Sequence, residues 1–412
     1  MLRTVFLAST VVLSGASAVA AQGFYAISNK ADGNTVVAFA KNETGQYEML
    51  GEYATGGNGT GDLEIPALQK DPTHPLANGD DPLISANAIA LDADRGLVLA
   101  VNPGDATVSL LKKNDDDTLA LIGTAPTSDK FPVSLALHGD MAVVASVGND
   151  NGSGSISAFR IGDAAIEPVE GSRRDLKARP STIAFSSDGA HVIVNELVTG
   201  KINVFAAQDG SLSEAPVSSV GSPRDDDTRF QAIPVGFAVA GDTVLMSEAR
   251  FLTPEFGLRS EADVVVQSPL YSWQTSSVSS YKIDGAGGIS LVSGDVLTGD
   301  AIEGGEIANC WVAVSEDGNT LWAANALSSS ISSFRVRENG TVALINARAF
   351  KDQSEELFFS DIALSAAGDE IYQLIGNTGE VMILDIEPDG KLTAKQTIGG
   401  LPELGAYGLA AF

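Results

Sequence analysis

Apolar and polar positions alternate in short runs along most of the chain, with turn residues between the runs. The clearest stretch spans residues 309–345, where four such runs follow one another: WVAVS, LWAANA, SSSISSFRV and TVALI. Asp-Gly and Asn-Gly pairs in the intervening turns supply the positive-φ positions that tight hairpins require. This stretch therefore predicts a meander of four antiparallel strands.

The first strand of this meander recurs along the chain. Each copy places large apolar residues on both sides of an alanine, at spacings that are mostly about 46–54 residues, as in propeller blades rather than helical repeats. Seven copies predict an all-β fold, a seven-bladed β-propeller with four antiparallel strands in each blade. The central alanines are Ala90, Ala136, Ala184, Ala238, Ala313, Ala363 and Ala410.

The two ends of the chain are predicted to share one blade. The seventh copy, GLAAF, is followed by no further strands, whereas the N-terminal segments FYAIS, NTVVAFAK and YEMLGEY alternate like a second, third and fourth strand. Their pairing would remove the open sheet edge that an incomplete ring exposes to other chains.

Residues 1–21 have the features of a secretory signal peptide. Arg3 precedes an apolar run from Val5 to Leu13, and small residues follow at 16–20. We therefore expect residues 22–412 to form a single domain that is secreted and monomeric. No later run approaches the roughly 20 apolar residues needed to span a bilayer, so no membrane insertion is expected. Four glycosylation sequons in predicted turns are typical of a glycoprotein: Asn42, Asn58, Asn151 and Asn339.

Charge narrows the range of partners. The chain has 53 acidic and 25 basic residues, for a net charge of −28. Such a field repels nucleic acids and anionic membranes, so neither is expected to bind. A small-molecule ligand remains, and an anionic one would need a local basic pocket. The single cysteine, Cys310, excludes an intrachain disulfide and is expected to be a buried apolar residue.

Two expansions of the repeat predict a covered mouth at one end of the central channel. Residues 55–87 form a long Gly- and Pro-rich loop that contains His74, and residues 250–276 interrupt another blade and bring Arg250 and Trp273. Propeller connectivity places both loops at the same face. Loops with aromatic and cationic groups over a concave mouth predict a binding site.

The second strand of each blade is predicted to end at this mouth. Glu196 and Glu248 could serve there as general acid and base, and Arg179, beside Asn309 and Asp361 among the first residues of the inner strands, could polarise a carbonyl group. Alternatively, Glu196, Glu248 and the asparagines could ligate a hard cation. The strand ends are Asn29, Asn102, Gly148, Glu196, Glu248, Asn325 and Gly376.

Three phrases of the sequence resemble a known family. GGNGTGD, RPSTIAFSSDGAHVIVNEL and NCWVAVSEDGNTLWAANALSSSISSFRVRENGTVALI are similar to the seven-bladed lactonases. These are the 6-phosphogluconolactonase-type propellers and the fungal 3-carboxymuconate cyclases, with a secreted branch, and the resemblance covers the whole mature chain. It implies a metal-independent propeller that opens or closes the lactone of an acidic substrate.

The resemblance also implies site residues. The family's glutamate lies in the phrase NEL, which places it at Glu196, and its arginine and histidine lie in a Pro-Arg-His phrase at the start of the same blade. This chain has Arg179-Pro180-Ser181 instead, so the arginine is shifted by one position and the histidine is absent; His74 is the candidate replacement.

Three functions are therefore considered. The first is a secreted lactonase or lactone-forming cyclase without a cofactor or metal, in which Glu196, Glu248 and Arg179 are catalytic. Its substrate contacts are expected from Asn102, Asn325, Arg250, Trp273 and His74. The second is a non-catalytic secreted or cell-surface binding propeller, and the third is a metal-dependent lactonase or esterase.

Overall fold

The computed structural model of the protein describes residues 22–61, 85–149, 152–197, 199–223, 232–249, 276–299, 306–353 and 357–412. These residues form seven antiparallel sheets and contain no helix. The predicted signal peptide, residues 1–21, lies outside the described residues. Among the residues that are described, none forms a helix long and apolar enough to cross a membrane.

The first three strands belong to the blade that the last strand completes, which we call blade seven. The strands of blades one to three follow in the sequence. Blade seven receives β1 (Gly23–Ile27), β2 (Thr35–Lys41) and β3 (Tyr47–Ala54). Blade one contains β4 (Ile89–Asp92), β5 (Leu97–Asn102), β6 (Thr107–Lys113) and β7 (Leu119–Pro126). Blade two contains β8 (Pro132–His138), β9 (Met141–Ser146), β10 (Ser155–Gly162), β11 (Ala165–Pro168) and β12 (Arg174–Asp175). Blade three contains β13 (Pro180–Phe185), β14 (His191–Glu196), β15 (Lys201–Gln208), β16 (Ser211–Leu212) and β17 (Ser218–Gly221).

Blades four to six follow the same order. Blade four contains β18 (Ile233–Ala240), β19 (Thr243–Ala249), β20 (Ser277–Ile283) and β21 (Ile289–Leu297). Blade five contains β22 (Asn309–Val314), β23 (Thr320–Asn325), β24 (Ser330–Val336) and β25 (Val342–Lys351). Blade six contains β26 (Phe359–Leu364), β27 (Glu370–Ile375), β28 (Glu380–Ile386) and β29 (Leu392–Ile398). The last strand, β30 (Tyr407–Ala411), pairs with β1 and completes blade seven.

The predicted fold is confirmed. The sheet order β3-β2-β1-β30 joins the two ends of the chain in one blade, and each of the seven alanines of the repeat lies in an inner strand. The local signals that predicted the strands, alternation and Gly-containing turns, specify each blade independently. The ring follows because a narrow sheet can bury both its faces only against neighbouring blades.

Successive residues of a blade pack against different neighbours, and this alternation fixes which way each side chain faces. In β23, Leu321 and Ala323 pack in one cluster with Leu245 of blade four, whereas Trp322 and Ala324 pack with residues of blade six. Burial of each large side chain stabilises the ring by about 1.5–3 kcal/mol. A residue two positions further along β23 therefore faces blade four as well.

A buried polar network secures the closing blade to blade six. The Tyr47 hydroxyl lies 2.5 Å from the carboxylate of Glu370 and 2.7 Å from the hydroxyl of Tyr372, and Lys41 and Lys395 form ion pairs with Glu370 at 3.0 and 2.5 Å. Burial alone would raise the pKa of Glu370, but the hydrogen bonds from Lys395, Tyr47 and Lys41 bring it below its usual range. The network therefore ties Lys41 of β2 and Tyr47 of β3 to a buried carboxylate of blade six.

The inner strands of blades two to six share a register break near their first residues. The first residue of each pairs with the last residue of the second strand, and a bulge follows. The bulge directs polar groups at the next blade: the Thr182 hydroxyl donates to the Val235 carbonyl at 2.7 Å, and the Gly408 N–H donates to the Asp361 carboxylate at 2.7 Å. These bonds link neighbouring inner strands at the mouth.

Replacement of Asp361 by asparagine tests the electrostatics of this ring. Burial raises the pKa of Asp361 to about 7 from its ordinary value of 3.8, although the bond from Gly408 opposes the rise. The folded protein therefore binds this proton more tightly than the unfolded chain, and the contribution of Asp361 to stability falls as the pH rises between those two values. We expect Asp361→Asn to become more stable relative to the wild type between about pH 5 and about pH 8.

Urea unfolding of both proteins at the two pH values measures this difference. The exposed Asp115 provides the control, because Asp115→Asn removes the same charge from a solvated position. A stability difference between Asp361→Asn and the wild type that does not change with pH would contradict the assignment.

Candidate functional site

Glu196, at the end of β14, is held by its own blade. Its side chain is only 1% exposed, and its carboxylate accepts hydrogen bonds from the Lys177 N–H at 3.1 Å, the Asn203 side-chain amide at 3.0 Å and the Thr199 hydroxyl at 2.5 Å. These partners belong to the loop before β13, to the loop after β14 and to the neighbouring strand β15. The carboxylate is thus fixed in one orientation at the mouth.

The equivalent residues of three other blades make similar bonds to the third strand. Glu248, in blade four, is fully buried and accepts hydrogen bonds from the Ser277 and Ser279 hydroxyls at 2.8 Å each. In blades one and five the direction of the hydrogen bonds is reversed, because an asparagine side-chain amide donates to two hydroxyl groups of the third strand. These donor residues and their acceptors are Asn102 with Thr107 and Ser109, and Asn325 with Ser330 and Ser332.

These bonds give each of the four residues a structural role. Each side chain joins the end of the second strand to the third strand of its blade, so the four residues are held in four separate blades. Asn102 is also an acceptor, for the Asn34 side-chain amide at 3.0 Å. Asn29 of blade seven is bound to Thr60 and Gly61 and holds that loop to the blade.

Arg179 and Glu196 lie at one corner of blade three. Arg179 directly precedes β13 and is 2% exposed. Its carbonyl accepts a hydrogen bond of 3.0 Å from the N–H of Leu197, and Pro180 is the cross-strand partner of Glu196. A buried cationic residue and a buried carboxylate are thus placed at adjoining backbone positions.

Three predicted substrate-binding residues, His74, Arg250 and Trp273, lie outside the described residues. Within the described ranges, no group of three or more His, Cys, Asp or Glu side chains is placed to hold a metal ion. The thiol of Cys310 is buried, and burial raises its pKa to about 12, so it is not a thiolate near neutral pH.

The segment Ser85–Ala88, which leads into β4, crosses the channel at the mouth, and we call it the plug. Trp311 of blade five donates its indole N–H to the Ser85 carbonyl at 2.7 Å, and Asn87 donates to the Ile183 carbonyl of blade three at 3.1 Å. Blades one, three and five are not neighbours, so these bonds span the channel.

Blade two holds the plug from a third side. The Ser134 hydroxyl donates to the Ala86 carbonyl at 2.6 Å, and the Leu135 N–H donates to the Asn87 carbonyl at 2.7 Å. Gly236 of blade four permits the close packing here, because a Cβ at this position would lie 2.6 Å from the Cys310 carbonyl oxygen. The sequence predicted a loop over this mouth, but no sequence signal identified its last residues as a plug.

A separate cavity of about 470 Å³ lies on the other side of the plug, at the end where the inner strands finish. His138, the last residue of β8, lines it. The remaining lining residues are Asn87, Ile89, Ala90, Leu91, Leu135, Ala136, Leu137, Ile183, Ala184, Phe185, Ser186, Ser187, Val239, Ala410 and Ala411.

The chain is similar to several solved propellers. A putative 6-phosphogluconolactonase from Bacteroides uniformis has a TM-score of 0.63 at 17% identity, with 93% of this chain and 98% of that chain covered. One from Bacteroides fragilis has a TM-score of 0.63 at 17% identity, with coverage of 96% and 99%. A protein from Lactobacillus plantarum has a TM-score of 0.65 at 15% identity, with coverage of 95% and 99%.

No protein-family model matches the chain, and no curated protein matches it significantly. The structural likeness therefore rests on the backbone, and at these identities it shows a shared seven-bladed fold. Two of the neighbours are named as lactonases, which agrees with the resemblance of the sequence phrases.

Replacement of Trp311 by phenylalanine tests the plug. The substitution leaves the buried Ser85 carbonyl without its indole donor, so we expect a loss of about 1–3 kcal/mol in the free energy of unfolding. Amide hydrogen exchange at residues 85–88 should become faster because the anchor on blade five is lost. Exchange measured by mass spectrometry, together with urea unfolding, gives both quantities.

Trp322→Phe is the matched control, because the Trp322 indole donates to the Gly390 carbonyl at 3.1 Å, away from the plug. It should lower stability without changing exchange at residues 85–88. Equal exchange of this segment in both variants would show that Trp311 does not anchor it.

Proposed function

We propose that the protein is a secreted propeller lactonase that opens or closes the lactone ring of a small acidic substrate at the plugged mouth. The observation that supports this most directly is the corner of blade three, where Arg179 and Glu196 are both buried and lie beside paired backbone positions. The resemblance of the sequence phrases and the fold of the neighbours named as lactonases support the same class of reaction.

In ring opening, Glu196 would accept a proton from a water molecule as the water oxygen attacks the lactone carbonyl carbon. Arg179 would stabilise the negative charge that develops on the carbonyl oxygen. The bond between the carbonyl carbon and the ring oxygen then breaks, and the ring oxygen receives a proton. Glu248, at the equivalent position of the next blade, is proposed to assist in these proton transfers.

Substrate contacts are proposed from Asn102, Asn325, Arg250, Trp273 and His74, as the sequence predicts. An acidic substrate would approach a chain with a net charge of −28, so local cationic groups are needed at the mouth to offset the overall field. Arg179 and Arg250 are the candidates for that role.

A non-catalytic binding propeller is the second candidate. The bonds of Glu196 and Glu248 favour it, because the same positions in blades one and five carry asparagines that join the second and third strands in a similar way. A residue that stabilises its blade in each repeat needs no catalytic role. The same experiment separates these two functions.

Glu196→Gln is the decisive variant. Glutamine retains an oxygen that can accept from Lys177 and Asn203, and its amide can donate to the Thr199 hydroxyl, so the fold should be preserved while the proton acceptor is lost. We expect kcat on a panel of hydrolysable lactones to fall by about 100-fold or more, with Tm almost unchanged. EDTA should not reduce the rate of the wild type, whereas a metal-dependent esterase would lose activity.

Glu370→Gln provides the control for loss of a buried carboxylate, because Glu370 lies at the far end of blade six from the mouth. It should lower stability while the rate per folded molecule is retained. Equal rates for Glu196→Gln and the wild type would remove Glu196 from the mechanism. A wild type that unfolds cooperatively but turns over no lactone would favour the binding propeller.

A further inference from the structure

A buried carboxamide at the mouth of blade five has no hydrogen-bond partner in the described part of the chain. Asn309, the first residue of β22, is fully buried, and neither its Oδ1 nor its Nδ2 is bonded to any residue that the structure describes. Its backbone is fixed, because its N–H donates to the Ser276 hydroxyl at 3.1 Å. A buried amide without partners is costly, by about 1–3 kcal/mol for each unsatisfied group, so such a residue needs an explanation.

The neighbouring Asn325 leaves one more acceptor unused, and its orientation is determined by the network around it. Ser330 donates its hydroxyl proton to Glu306 at 2.6 Å, and Ser332 donates to the Ala347 carbonyl at 2.7 Å. Both hydroxyls must therefore accept from Asn325 Nδ2, at 3.1 and 2.9 Å. The Asn325 amide cannot be turned round, and its Oδ1, which has no partner among the described residues, is the atom left over.

The two carboxamides lie side by side. Asn309 and Asn325 are cross-strand partners, so their side chains project from the same face of the blade with Cβ atoms about 5 Å apart. This is the face that packs against blade four, because Asn325 continues the series of Leu321 and Ala323. One amide group and two carbonyl oxygens are thus gathered at the mouth, between blades four and five.

The repeat itself shows that Asn309 is not needed for the fold. The equivalent position of the inner strand, four residues before the alanine of the repeat, is occupied by Pro132, Pro180, Pro234 and Phe359 in four other blades. Blade five alone among these five has a polar side chain there, and that side chain makes no bond within the described protein. A departure from the repeat that costs stability indicates a function outside folding.

We propose that Asn309 and Asn325 form a ligand subsite that binds neutral hydroxyl groups. A hydroxyl group can accept a hydrogen bond from Asn309 Nδ2 and donate to an amide oxygen, and two adjacent hydroxyls satisfy all three atoms. A carboxylate or phosphate dianion offers acceptors only and leaves both oxygens unmet, whereas a cation would face the Asn309 amide hydrogens. The subsite therefore selects a ligand with neighbouring hydroxyl groups, and under the proposed function that ligand is a lactone.

Only the choice of a lactone ring rests on the proposed function; the binding of hydroxyl groups does not. The test therefore measures binding and does not require the protein to hydrolyse a lactone. D-gluconolactam and δ-valerolactam are non-hydrolysable lactone analogues that share a ring and a carbonyl group and differ in their hydroxyl groups. We expect the wild type to bind the gluconolactam at least about tenfold more tightly in isothermal titration calorimetry, and Asn309→Leu to lose that preference. Asn325→Ala should weaken it in the same direction.

Stability separates a binding role from a structural one. Leucine is similar in size to asparagine and removes the unpaired amide, so Asn309→Leu should raise Tm in the absence of ligand while binding is lost. Ser157→Ala is the matched control. Ser157, in β10, also has a buried polar group without a partner in the described residues, and its removal should leave gluconolactam binding unchanged.

Two results would overturn the subsite. One is a wild type that binds both lactams equally or neither of them, and the other is an Asn309→Leu variant with undiminished binding. Gluconolactam binding that depends on Asn309, in a protein that hydrolyses no lactone, would support the subsite and reject the proposed catalysis. The opposite outcome is lactone turnover that Glu196→Gln loses, in a protein that binds both lactams equally. It would support the proposed catalysis and reject the subsite.

Discussion

The pairing of β1 with β30 is the contact on which the rest of the structure depends. Each blade buries its two faces against two neighbours, so no blade is complete until the ring is closed. Phe24 and Tyr25 pair with the last residues of β30, and the network around Glu370 secures the outer strands of the same blade to blade six. The shape of the mouth depends on this closure, because the hydrogen bonds that hold the mouth run from one inner strand to the next.

In a repeated fold, a comparison of equivalent positions in different blades helps to separate structural residues from functional ones. Glu196 and Glu248 are the residues that a sequence comparison within the chain favours, yet their hydrogen bonds resemble those of Asn102 and Asn325 at the same position. Asn309 shows the reverse: its neighbours in the repeat are apolar, and its side chain makes no bond in the described structure. Bonds that recur in several blades are explained by folding, whereas differences between blades are the places where function can be sought.

The fold could be predicted from the sequence because its determinants are local. Alternation and turn residues define each strand, and the count of copies defines the ring. The plug could not be predicted, since the bond between Trp311 and Ser85 joins residues distant in sequence across the channel. The unpaired state of Asn309 was equally hidden, because it depends on what surrounds the side chain. The roles of Arg179, Glu196 and Glu248 stay predictions, and His74, Arg250 and Trp273 lie outside the described residues.

The position of β30 in the sequence also determines the order in which the blades can be completed during synthesis. β1 is synthesised long before its inner partner β30, and contacts of such long sequence separation form slowly. Blades one to six can assemble as translation proceeds, but they remain an open arc with β1 unpaired at one edge. The ring can therefore be completed only after β30 has been synthesised, and the nascent chain must be kept from pairing with other chains until then.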